Sequence, residues 1–356
     1  PARDEYETRF AEAGVGGEAC HGPGEAHVAA RHSGAPGDRY EPVRGARQLD
    51  LCAACHSLRR EHWSGFAAGG DLLDHFEPQL LDGDAYYPDG QLRAESYEWG
   101  SFVQSAMHDA GVGCGDCHDM HTTELRAQGN DLCFHCHDAR LGTLSHTRHA
   151  AGSPASQCVE CHMPVTVYMA RDRRRDHSFP VPDPRIAAAL GVATACERCH
   201  ASEGAEWTRA RLLEWVGDGT ARQAERRRLA MALSQGRRGD PAGLAVLLEC
   251  AAQCRNVFLR ASAVRLLGRF VAQPGVAAAL VTALEAPEAL VRAAAAFALS
   301  EGEPLGESAR AGLLRALRDP VRSVRLNAAW GLRAARSEDL DPGDAATLAA
   351  APGEWL

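Results

Sequence analysis

Apolar positions divide this chain into two unlike stretches. After residue 205 the segments LAVLLECAAQC, LRASAVRLLGRF, VAAALVTALEA, VRAAAAFALSE, ARAGLLRALRD and VRLNAAWGLRAAR are rich in Ala, Leu and Arg. Their apolar residues recur at i, i+3, i+4 and i+7, the period of a helix with one buried face. Prolines and glycines separate them. Arg260, Arg292 and Arg325 each follow an apolar residue and open the second helix of a pair, at intervals of 32 and 33 residues. Pro287 and Pro320 fall in matching turns. This is a HEAT-like period, in which each helix pair buries its apolar face against its neighbours. The first stretch reads differently. Residues 1–50 are Gly-, Ala- and charge-rich with weak periodicity, and from Cys52 to His200 Gly, Pro, Asp and His interrupt almost every segment. Such a segment cannot bury enough apolar side chain to offset the entropy of ordering it. It predicts a loop-rich domain, 1–205, with short helices around a core that is not protein, followed by a helical domain, 206–356.

The missing core is supplied by a repeated motif. Cys-x-x-Cys-His occurs at Cys52–His56, Cys114–His118, Cys133–His137, Cys158–His162 and Cys196–His200. This is the attachment pattern of haem c: two thiols add across the porphyrin vinyl groups and the adjoining His binds the iron. Cys-x-x-Cys also builds zinc ribbons, with looser His spacing. His is only 16 of the 356 residues, so a His at the same offset after all five pairs arises by chance on the order of once in a million. Haem is therefore the reading. The thioether residues are Cys52, Cys55, Cys114, Cys117, Cys133, Cys136, Cys158, Cys161, Cys196 and Cys199, and the proximal iron ligands are His56, His118, His137, His162 and His200. A sixth, irregular site lies in GEACHGPGEAH, where Gly17 stands in place of the first cysteine. Either a haem hangs there from Cys20 alone with His21 on its iron, or the site is degenerate; the intact surroundings favour the haem. Six haem c groups are expected, five of them on complete motifs.

The irons need second ligands. Ten further histidines all precede His200. The distal candidates are His27, His121, His146, His149 and His177, then His108 and His75; His135, His32 and His62 have weaker context. Two imidazoles on each iron would give low-spin, low-potential haems. One haem per roughly 30 residues forces the rings close enough for electron exchange. Met163, next to His162, reads as packing. The run RDRRRDH, Arg171–His177, is either a solvated loop or a set of guanidiniums paired with haem propionates, with the second preferred. Cys250 and Cys254 lack a following His and read as core thiols. Trp207 and Trp215 are expected where the two halves meet.

The formal charge of -9 is deepened by propionates, which argues against nucleic acid as a partner. All 38 basic residues are Arg. No apolar run is long enough to span a membrane. Haem c is attached outside the cytoplasm, so a periplasmic or extracellular location is expected, with a leader removed or lying outside this sequence.

CHGPGEAH, YYPDGQ, GSFVQSAMHDAGVGCGDCHDMH, CHMP, YMARDRRRDHSFPVPDP and ACERCH together resemble bacterial extracytoplasmic multihaem c-type cytochromes that end in TPR or HEAT-type helical repeats. The resemblance spans nearly the whole chain. It implies a mainly α fold, a loop-rich multihaem cytochrome c domain followed by an α-helical HEAT-like solenoid. It implies electron transfer through bis-His haems, with His27, His121 and His177 matching distal ligands of the family. Two features depart from it: Gly17 replaces a cysteine, and family members usually carry a further haem-bearing region before the point where this sequence starts, so that part of the path lies on another polypeptide unless this is a short member. The leading functional reading is an electron carrier between extracytoplasmic redox partners, alone or as a subunit of an oligomer, complex or filament. The alternative is an oxidoreductase with one open iron acting on a small nitrogen or sulfur compound, for which Gly17–His21 is the first site to inspect. The helical repeats either dock a partner or cap the haem half.

Overall fold

The computed structural model describes residues 14–34, 43, 45–94, 97–217, 219–302, 304–336, 338 and 340–351. It is mainly helical. Up to His200 the helices are short: α1 (Gly17–His21), α2 (Glu25–Ser33), α3 (Ala46–His56), α4 (Glu98–Phe102), α5 (Ala106–Asp109), α6 (Cys114–Cys117), α7 (Asp131–Phe134), α8 (Leu144–Thr147), α9 (Cys158–His162) and α10 (Pro184–Leu190). Two antiparallel ribbons interrupt them, β1 (Arg59–Glu61) with β2 (Phe76–Pro78) and β3 (Val165–Tyr168) with β4 (Asp172–Arg175). Beyond them the helices lengthen: α11 (Gly204–Val216), α12 (Ala221–Arg237), α13 (Leu244–Gln253), α14 (Val257–Leu267), α15 (Val276–Ala283), α16 (Ala289–Ser300), α17 (Glu307–Ala316), α18 (Arg322–Gly331) and α19 (Pro342–Ala350).

From α13 onward the helices stack in two rows. Helices α14, α16 and α18 pack on one another, and α13, α15 and α17 line up beside them. Small residues permit the close approach: in α16, Ala293, Ala294, Ala295, Ala296 and Ala298 are all buried. The recurring arginines hold the turns. Arg292 donates to the carbonyls of Ala286 and Pro287 at 2.9 and 3.0 Å, and Arg325 to those of Asp319 and Pro320 at 2.9 and 3.0 Å. Each thus satisfies carbonyls of the turn between two helices. Arg292 also pairs with Asp319 at 2.7 Å, and Arg260 pairs with Glu288, tying each unit to the next.

The core of this helical half crosses residue 205. Leu80, Leu81, Tyr86, Leu92 and Val103 are buried in the same cluster as Phe258, Val264, Leu280 and Leu313. Gly100 makes the approach possible, since a Cβ there would lie 2.0 Å from the Tyr86 hydroxyl. Polar contacts lock the joint: Arg237 donates to the carbonyls of Leu81 (2.8 Å) and Tyr86 (2.7 Å), and Asn256 to that of Val103 (2.8 Å). Arg265 pairs with Glu77 at 2.9 Å, and Arg322 donates to the Asp74 carbonyl at 2.6 Å while lying over the Trp63 ring. A second, smaller cluster joins Ala53 and Ala54 of α3 to Leu72 and Phe76, with Trp99 packed against both clusters. Cys250 is buried and Cys254 packs beside it, both as free thiols. Trp207 lies against His200, and Arg148 lies over Trp215.

Candidate functional site

The five complete motifs and Cys20–His21 each sit on or at the end of a short helix: α1, α3, α6, α7, α9 and the 3-10 turn Cys196–Arg198. A turn of helix places both cysteines of Cys-x-x-Cys on one side, and the following His closes the turn. The amide of that His reaches back to the first cysteine's carbonyl, as in His118 to Cys114 (3.0 Å), His137 to Cys133 (2.9 Å) and His200 to Cys196 (2.8 Å).

The thiols of successive motifs lie near one another. Those of Cys52 and Cys114 are close enough to perturb each other, as are those of Cys133 and Cys158. Cys117 lies in electrostatic range of Cys133 and Cys136, and Cys161 in range of Cys196 and Cys199. The five motifs therefore form one row in chain order. Asn130 clamps two of them: it stands at the start of α7, and its side chain accepts from the Cys158 amide at 2.8 Å and donates to the Ser156 carbonyl at 3.0 Å.

Four motif histidines face a second imidazole. Ring centroids are 6.2 Å apart for His21 and His121, with planes 8° from parallel, and 6.1 Å and 14° for His162 and His146. The other two pairs, His118 with His177 and His200 with His149, are 6.5 Å and 6.2 Å apart and tilted by 31° and 33°. Imidazoles stacked directly on each other would be closer. Two metal–nitrogen bonds of about 2 Å, added to the ring radii, set two imidazoles on opposite sides of one iron about 6 Å apart. The residues present fit haem.

Local chemistry aims these rings. In Asp-x-His, the Asp119 carboxylate accepts from the His121 and Thr122 amides at 2.9 and 3.1 Å, an Asx turn that presents His121 outward. Asp176, buried beside His177, accepts from the Leu92 amide at 2.9 Å and the Ser178 amide at 2.7 Å, fixing the His177 backbone against Leu92. The Nδ1 atoms of His149, His162, His177 and His75 lie 2.6, 3.0, 3.0 and 3.1 Å from the carbonyls of Thr147, Pro180, Arg175 and Trp63. An Nδ1–H engaged this way leaves Nε2 as the lone-pair donor that a metal takes. Burial also pushes His162 and His177 below the usual imidazole value, towards the neutral form that binds metal.

The remaining candidates are placed as follows. His75 packs edge-on to Phe66 and His108 edge-on to Phe102, and His27 lies on α2. Among the described residues, no imidazole is stacked against His56 or His137 at the spacing of the other four. In the Arg-rich run, Arg174 and Arg175 pair with protein carboxylates, Glu98 at 3.1 Å and Glu160 at 2.6 Å, while Arg171 and Arg173 are exposed. Two residues here carry no sequence signal: Asn130, and Glu98, whose carboxylate lies 3.4 Å from His56 Nδ1. Burial would raise Glu98, but its bond to His56 and the Arg174 charge outweigh that and bring it down to about 2.

Residues 108–141 match the family model of the doubled CXXCH motif. The match supports covalently attached haem c, and with it electron transfer, on this chain. No curated protein matches the chain. Among solved structures, the outer cell wall cytochrome OcwA is similar, with 16% identity and a TM-score of 0.42 over 82% of this chain and 71% of that one. Among the described residues no helix is long and apolar enough to cross a membrane.

Proposed function

We propose that this chain is a multihaem c-type cytochrome that carries electrons along a row of bis-His haems between redox partners outside the cytoplasm. The observation that carries the reading is the set of four imidazole pairs at 6.1–6.5 Å, each joining a motif histidine to one from outside the motifs. Haem would be held by the ten motif cysteines and by Cys20, six groups in all, with His21, His56, His118, His137, His162 and His200 as proximal ligands. His121, His177, His146 and His149 would be the distal ligands at His21, His118, His162 and His200; His27, His75 and His108 are the candidates for His56 and His137.

Haem held there would supply single-electron exchange, with His21, His118, His162 and His200 and the four imidazoles facing them available as its ligands. The protein's part is to fix the tautomers of His149, His162 and His177, favour the neutral form of His162 and His177, and hold successive motifs adjacent. Residues 206–356 are read as a HEAT-like solenoid. Its joint with residues 74–109 supports the role of a cap that orders the haem half, and partners would then be redox proteins or further haem subunits meeting the row itself.

The test is haem quantification by pyridine haemochrome together with EPR of the oxidised protein, its spins counted against total haem. Six haems, all low-spin, are expected. One high-spin iron would overturn the pure carrier reading and favour an oxidoreductase with an open site; protein without covalent haem would overturn both.

A further inference from the structure

The histidines of the row do not all face the same kind of acceptor. His75, His149, His162 and His177 direct Nδ1 at backbone carbonyls. His56 instead meets a carboxylate through Nδ1, Glu98 Oε2 at 3.4 Å. His108 Nδ1 stands 3.9 Å from Asp109, beyond hydrogen-bond range. Glu98 is no loose surface acid. Its side chain is 26% exposed, and its other oxygen accepts from Arg174 Nη1 at 3.1 Å. Arg174 is fixed in turn over the Tyr168 ring at 4.6 Å, on the strand that leads to His177. Glu98 is thus a part-buried anion held against one ligand histidine and anchored to the segment of its neighbour.

An imidazole whose Nδ1–H faces a carboxylate is a more basic ligand than one facing an amide carbonyl. A more basic ligand favours the ferric over the ferrous ion. We propose that Glu98 is a positioning residue that lowers the reduction potential of the haem at Cys52, Cys55 and His56. The proposal rests on the haem-carrying reading above. Because the Cys52 motif is one end of the row of five, lowering the potential there biases electrons away from it, towards the motifs at Cys158 and Cys196.

Redox titration of the full-length holoprotein, followed by the haem α-band and compared among wild type, Glu98→Gln and Arg174→Met, tests this. Glu98→Gln keeps the shape and removes the charge; one haem's share of the absorbance is expected to move to higher potential while the rest stays in place. Arg174→Met keeps the carboxylate and removes the cation beside it, so the same share is expected to move lower. Opposite shifts cannot come from a merely structural disturbance. Curves that superimpose on wild type, or shifts of both variants in one direction, overturn the proposal and leave the haem reading standing. Wild-type protein lacking covalent haem by pyridine haemochrome overturns the haem reading, and this proposal with it.

Discussion

Gly17 shows how little separates an irregular haem site from a regular one. A Cβ built on it meets nothing within 4 Å, and its backbone is helical, so a cysteine would fit without strain. His21, four residues on, already stacks against His121 as the motif histidines do against their partners. Gly17→Cys is therefore expected to complete the motif. A second thioether saturates the remaining vinyl group and takes it out of conjugation with the ring. One haem's contribution to the pyridine haemochrome α-band should then move to shorter wavelength; an unchanged spectrum would mean that no haem is held there or that the new thiol stays free. His121→Ala probes the same site from the other side. It removes one axial ligand and is expected to add a single high-spin iron to the EPR spectrum of the oxidised protein. The His residues were legible because the motif is local. Which imidazole faces which was not, because residues far apart in sequence meet only through the fold. Nothing in GEACHGPGEAH points to Asp-x-His, and nothing near His56 points to Glu98.

At the scale of elements, the helices after residue 205 were legible from period alone, and the structure adds what their arginines do. Arg292 and Asp319 are a nearly buried pair, with side chains 14% and 10% exposed, set between successive helix pairs. Arg292→Leu strands Asp319 and leaves the carbonyls of Ala286 and Pro287 without their donor. Loss of one partner of such a pair costs about 3 kcal/mol, so a clear fall in the Tm of the helical circular-dichroism signal is expected. In α3 the sign runs the other way. Burial, with repulsion from Asp71 second, pushes Asp50 up to about 6. The unfolded carboxyl titrates near about 3.9, so the folded chain retains a proton that the unfolded chain gives up between these values. Stability from this group falls as pH rises from about 4 to about 6 and is level above. Asp50→Asn should therefore raise Tm at pH 7 but not at pH 4; an equal gain at both would show that the charge is not the cause.

The whole molecule is built from two kinds of core. Residues 72–104 carry no helical or strand period, which is why their role was not legible; Leu80, Leu81 and Tyr86 are scattered apolar residues that gain meaning only against Phe258 and its neighbours. Once docked, this segment belongs energetically to the helical half, while the turns around the motif cysteines have few buried apolar residues of their own; α1, α2, α6, α7 and α8 bury none. Covalent haem and its histidines must then provide most of what orders 105–200, as structural metals do in small domains. A variant with all motif cysteines and Cys20 changed to Ser separates the two cores. Limited proteolysis of it is expected to cut early between residues 105 and 200 and to spare 206–336, with 74–104 protected alongside the helices. The helical circular-dichroism signal should persist through that digestion. Uniform protection of 105–200 in the haem-free variant would mean that the turns hold themselves together; rapid loss of 206–336 would mean that the helical half depends on haem for its own stability. The joint can be read in the same assay. Phe258→Ala removes the ring on which Tyr86 and Trp99 both rest edge-on and costs about 3–5 kcal/mol. It should expose 74–104 to cleavage in the haem-free chain and much less in the holoprotein, where the row of motifs holds that segment from its other side.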